Sequence, residues 1–113
     1  MTAAGCIDGC VLCERLAAAQ EPPGGWLLRD ERWAAGVMPG AEVPGWVVLQ
    51  PARHVERVWD LEPQALAELG PVVARLSEAI AGVGGAARVY LGAFGERIPH
   101  WHLIVAPPPA GLA

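Results

Sequence analysis

Several things are missing from this chain of 113 residues, and each absence narrows what it can be. No apolar run reaches the ~18 residues that a membrane helix needs. The N-terminus has no basic stretch ahead of an apolar one, so no signal peptide is expected, and the cytoplasm is the expected compartment. Lys and Arg form no cluster and the net charge is −4, which speaks against non-specific nucleic-acid binding. Histidine is scarce, at three residues, as is cysteine, also at three. An odd number of cysteines in an intracellular chain suits metal or thiol chemistry better than a disulfide framework.

Against these absences stand a hydrophobic content of 53% and five tryptophans. The first excludes a disordered chain. The tryptophans are expected to fill a core or a dimer interface. The length suits one small domain, expected over residues 1–113 with loosely ordered ends at 1–9 and 107–113. A core of this size is modest, so a metal site or a subunit interface would add stability. The excess of large apolar residues points to a homodimer.

Along the chain, Cys13 to Gln20 reads as a short helix. Trp26 to Asp30 and Arg32 to Val37 read as two strands joined by a tight turn. Gly45 to Gln50 reads as a buried strand stopped by Pro51. A long helix is expected from Glu62-Pro63 to about Val83, with Leu66, Leu69, Val73, Leu76 and Ile80 on one apolar face and a bend at Pro71. Gly82, Gly84 and Gly85 end it. Arg88 to Gly92 and His100 to Ala106 read as the last two strands. Strands grouped by turns around one long helix suggest an α+β fold with a largely antiparallel sheet.

The chemistry-bearing residues fall into two groups. Cys10-Val-Leu-Cys13 has the C-x2-C spacing of a metal knuckle. Two thiolates balance the charge of Zn²⁺, and His54 and His100 are available to complete a tetrahedron. The same spacing also fits a redox dithiol, or two ordinary cysteines at a helix start. Cys6 extends it to Cys6-x3-Cys10-x2-Cys13, the cluster-binding pattern of radical S-adenosylmethionine enzymes. Those need a barrel of ~200 residues or more, so Cys6 is read as a spare thiol. His100 and His102 lie two apart, which on a strand would set both on one face, ~6.6 Å apart. An isolated H-x-H is commonly just a pair of polar positions on a half-exposed strand. Here it is framed by Pro99 and by Leu103-Ile-Val105.

Taken together, Cys10-x2-Cys13, Gly45-Trp-Val-Val-Leu-Gln-Pro51-Ala-Arg-His54, Asp60-Leu61 and Gly95-Glu-Arg-Ile-Pro-His100-Trp-His102-Leu-Ile-Val resemble the histidine triad (HIT) superfamily, in its zinc-containing branch. The resemblance implies a five-stranded antiparallel sheet with one long and one short helix, paired into a homodimer. It implies zinc on Cys10, Cys13, His54 and His100. It implies a nucleotide phosphohydrolase or nucleotidyltransferase in which His102 attacks the α-phosphorus and forms a nucleotidyl-imidazole. The chain departs from the family pattern at several positions, one being the Asn common before the motif, which is Tyr90 here or missing. Ile104 stands where the third, phosphate-binding histidine is usual, Glu96 where glutamine is common, and Arg97 where a small hydroxyl residue is common. The galactose-1-phosphate uridylyltransferase branch also lacks the third histidine. Glu96 could act as a general acid and Arg97 as a phosphate clamp, or both could be solvated loop charges. The alternative function is a zinc-stabilised nucleotide- or phospholigand-binding protein with little turnover. No nucleic-acid or membrane partner is expected.

Overall fold

The structure, a computed structural model, describes residues 9–17, 25–37, 46–85, 88–94 and 98–107. The elements are α1 (Val11–Ala17), β1 (Trp26–Arg29), β2 (Trp33–Val37), β3 (Val47–Pro51), a 3-10 turn at Val58–Asp60, α2 (Pro63–Gly84), β4 (Tyr90–Gly92) and β5 (Leu103–Ala106). The strands form one sheet in the order β1-β2-β3-β5-β4, and every neighbouring pair is antiparallel. This is the expected α+β arrangement with five strands and two helices.

Local chemistry explains the elements. Asp30 makes the β1–β2 turn: its Oδ1 accepts from the backbone N–H groups of Arg32 and Trp33, both at 2.8 Å. β3 is apolar and buried at nearly every position because it is the middle strand. α2 opens with Pro63, whose missing N–H is harmless in the first turn. It closes on Gly85, which adopts the left-handed conformation (φ 66°) and returns its N–H to Ala81.

Alternation along the strands sorts the side chains onto two faces. Trp33, Ala35, Val47 and Leu49 pack with Leu61, Ala65, Val72 and Leu76 from α2 and the segment before it, joined by Leu103 and Trp101. Trp33 and Trp101 meet edge to face, with centroids 6.3 Å apart. Ala34, Val48, Gln50 and Ile104 occupy the alternate positions of the same register. On that second face Gln50 reaches α1.

Several expectations need correction. The buried stripe of α2 is Ala65, Val72 and Leu76, with the expected Leu69, Val73 and Ile80 partly buried beside it, and Leu66 is exposed, because it lies about a quarter-turn away from Ala65. Pro71, where a bend is expected, is exposed and lies inside the unbroken helix α2. α1 begins two residues before Cys13, and residues 18–20 are outside the described set. β3 includes Pro51, paired with Trp33. β4 starts at Tyr90, not Arg88. β5 starts at Leu103, so His100 and His102 precede the strand. The reason is a competing bond: the Trp101 N–H goes to the Val55 carbonyl at 2.6 Å, drawing residues 100–102 away from the ladder. Trp59 is 72% exposed and is not a core residue. The end segments 1–8 and 108–113, and Cys6 with them, lie outside the described residues. Among the described residues no helix is long and apolar enough to cross a membrane.

Candidate functional site

Three separate segments deliver four donor side chains to one point. Cys10 directly precedes α1, and its Sγ accepts the backbone N–H of Cys13 at 3.4 Å while its carbonyl accepts from Glu14. The thiol thus takes the place that a Ser or Asp oxygen fills at most helix starts. That geometry turns Cys10 and Cys13 toward the same side. His54 comes from the loop after β3, and His100 from the segment before β5. The ligand atoms of Cys10, Cys13, His54 and His100 all lie within 4.8 Å of one another, so the group could bind a metal ion.

Three sulfur-to-nitrogen distances are close to one another. Cys10 Sγ and Cys13 Sγ each lie 3.4 Å from His100 Nδ1, and Cys13 Sγ lies 3.6 Å from His54 Nδ1. Both rings turn Nδ1 toward the thiols, and both have their other nitrogen occupied. His100 Nε2 donates to the Pro51 carbonyl at 3.0 Å, which leaves Nδ1 with its lone pair. His54 Nε2 lies 3.4 Å from the Glu56 carboxylate. Outer partners of this kind fix ring orientation at metal sites.

Burial dominates the electrostatics. His100 is fully buried, and its pKa is pushed down to about 4, chiefly by loss of solvent, with His54 and His102 adding to the effect. Burial likewise pushes the Cys10 thiol up, against the lowering influence of the Cys13 N–H. Burial therefore holds His100 neutral, as a lone-pair donor, and leaves the Cys10 thiol one that a nearby cation would help to ionise.

His102 is separate from this cluster. It is buried, and its Nδ1 donates to the His100 carbonyl at 2.8 Å. That bond fixes the tautomer, so the lone pair is on Nε2. Ile104 is half-buried on the sheet face shared by Val48 and cannot hydrogen-bond. Glu96 and Arg97 lie outside the described residues. Arg53 is exposed.

The structure therefore gathers four of the sequence-predicted site residues and sets a fifth two residues along the chain. Sequence reasoning missed Gln50, which is fully buried and donates to the Leu12 carbonyl, and the Pro51 carbonyl that orients His100. For Gln50 a signal exists, since a carboxamide ends an otherwise apolar buried strand. The Pro51 contact is made by backbone and leaves none.

No protein-family model matches the chain, and no curated protein matches it in sequence. Solved structures do match it in shape. A HIT family protein from Bacillus anthracis superposes with a TM-score of 0.76 at 20% identity, covering 90% of this chain and 74% of its own. A HIT family hydrolase from Clostridium thermocellum gives 0.71 at 18% identity, covering 94% and 96%. The diadenosine triphosphate hydrolase of Plasmodium falciparum gives 0.69 at 11% identity, covering 76% and 62%. The sheet order, the two helices and these superpositions establish that the chain has the HIT fold.

Proposed function

We propose that the protein is a zinc-stabilised nucleotide phosphohydrolase or nucleotidyltransferase that works through a nucleotidyl-histidine at His102. The observation that carries this reading is the His102 tautomer. With Nδ1–H held by the His100 carbonyl, Nε2 carries the lone pair of a neutral imidazole, which is the form that can attack phosphorus. The bond from Nε2 to the α-phosphorus forms as the bond to the leaving group breaks. Water or another acceptor then displaces the imidazole. The diadenosine triphosphate hydrolase among proteins of similar shape supports nucleotide-like substrates.

The donor set fits zinc. Bonds of about 2.3 Å to sulfur and about 2.0–2.1 Å to nitrogen, at tetrahedral angles, place sulfur and nitrogen about 3.5 Å apart. The observed separations of 3.4, 3.4 and 3.6 Å match that edge. Cys10, Cys13, His54 and His100 would be the ligands. The ion would supply charge neutralisation for the thiolates and lock the segment that aims His102. Glu96 is proposed as the proton donor to the leaving group and Arg97 as a phosphate contact.

A second reading, a binding protein with little turnover, is favoured by Ile104, which offers phosphate no hydrogen bond. Mass spectrometry of acid-quenched mixtures with a panel of nucleotide esters and phosphoramidates separates the two. A nucleotide adduct on the His102 peptide is expected, and binding without any adduct or turnover would leave only the second reading. In the same assay Glu96→Gln should slow substrates with poor leaving groups and remove the alkaline limb of the pH–rate profile. Unchanged rates would make Glu96 a solvated charge.

A homodimer and a cytoplasmic location, where thiols stay reduced, complete the proposal. β4 is a sheet edge, and Tyr90, Leu91 and Phe94 are exposed on or just after it, as is Leu66 on α2. Light scattering at micromolar concentration should give twice the chain mass, and the monomer mass would rule the dimer out.

A further inference from the structure

Val47, Val48 and Leu49 are apolar and buried, and the next residue, Gln50, is polar and equally buried at 0% exposure. Its Nε2 donates to the Leu12 carbonyl at 3.0 Å, while its Oε1 is buried without a partner among the described residues. A side chain present only to fill that space would be apolar like the three before it, because a half-used buried amide is unfavourable. What an apolar side chain cannot do is hold the backbone at Leu12, between Cys10 and Cys13. Pro51, the next residue, accepts the Nε2–H of His100. His54 follows three residues later in the chain. All four candidate ligands thus take their placement from the end of β3.

α1 has seven residues, too few to persist without tertiary support. Cys10, Leu12 and Cys13 pack in a small cluster of their own with Ile98, apart from the main core. The other ties seen on α1 are side chain-to-backbone bonds farther along the helix: Arg29 to the Leu16 carbonyl at 2.7 Å and Arg15 to the Val37 carbonyl at 3.0 Å. Gln50 is a tie from β3 at the cysteine end.

We infer that Gln50 is a positioning residue of the metal centre, which sets the Cys10–Cys13 pair against His54 and His100 through its bond to Leu12. It touches no ligand atom. The inference rests on the metal reading given above. Loss of the bond leaves α1 attached at its far end by Arg29 and Arg15, while the cysteines drift from the imidazoles.

The test is Gln50→Met, which keeps length and volume and removes the donor. Zinc affinity, measured by competition with a chromophoric chelator, should fall about 10–100-fold. The visible absorption of the cobalt-loaded protein should lose the intensity of a regular tetrahedral site. The urea midpoint of the metal-free protein should stay near the wild-type value. Arg29→Met, which loosens the other end of α1, should leave the cobalt spectrum unchanged. Wild-type affinity and spectrum in Gln50→Met would overturn the inference while leaving the metal reading intact. A wild type that takes up neither zinc nor cobalt sinks both. If Gln50→Met does not fold, Gln50→Asn, which keeps the amide but falls short of Leu12, takes its place. Failure of both to fold would make Gln50 a residue of the fold and not of the centre.

Discussion

On one face of the sheet a 22-residue helix lays Ala65, Leu69, Val72 and Leu76 against Trp33, Leu49 and Leu103. On the other face a seven-residue helix is tied down by Gln50, Arg15 and Arg29 and carries two cysteines toward two histidines. The first face is held by buried apolar area, which is indifferent to metal. Among the described residues the second has a smaller apolar cluster around α1, and adds directed polar bonds and, in the proposed state, an ion. The face with the smaller apolar cluster is the one that carries the chemistry-bearing residues, so a bound metal would do there what a larger core does elsewhere.

Paired substitutions on the two faces test this division. Cys13→Ser should cost about 4 kcal/mol when free metal stands at a thousand times its Kd. Leu76→Ala, which opens a cavity against the main cluster, should cost about 3 kcal/mol. Chelator tells them apart in urea titrations. The Cys13→Ser cost should nearly vanish once the wild type is also metal-free, and the Leu76→Ala cost should stay. If Cys13→Ser costs as much with chelator as without, Cys13 is a packing residue and the two faces do not differ in kind.

Legibility followed the same division. The apolar face was plain in the sequence because periodicity reports it: α2 and the strands β1 to β3 stand within a few residues of expectation, and Leu66 is off only by the angle between neighbouring helix positions. The metal cluster was readable as composition, from C-x2-C and the scarcity of histidine, but its orienting contacts were not. Pro51 acts through its carbonyl and Gln50 through a bond to a residue 38 positions away. His100 and His102 were placed on a strand because Leu103–Ala106 continues from them. The Trp101 N–H bond to Val55 diverts that segment, and it is a contact across 46 residues that no local pattern encodes.

Acidification should affect the two faces in different windows. His100 titrates near 6.5 when unfolded and near 4 when buried, so between those values the unfolded chain binds more protons. Stability is full above about pH 6.5 and is lost progressively as pH falls toward 4. On the other face, the Arg32 guanidinium holds Glu68 below its usual 4.5, with bonds of 2.8 and 2.7 Å, so that contribution fades only below 4.5. Denaturation midpoints of the metal-free protein should therefore already decline between pH 6.5 and 4.5, from the α1 side. A flat profile through that range would mean that His100 is solvated in the metal-free state.

The smallest change in stability, and the sharpest separation of roles, is expected within one motif. His100 and His102 lie two residues apart, yet one is turned to the thiols and the other is bonded back to the first one's carbonyl. His100→Ala removes a ligand, leaves the Pro51 carbonyl without its donor, and should release the metal. His102→Ala removes one hydrogen bond, about 1 kcal/mol. It leaves all four donors in place, so zinc content by elemental analysis should match the wild type while nucleotide adduct and turnover disappear. A His102→Ala protein that loses zinc along with activity would show that the two histidines act as one unit. A His102→Ala protein that keeps both would move the reaction away from this imidazole altogether.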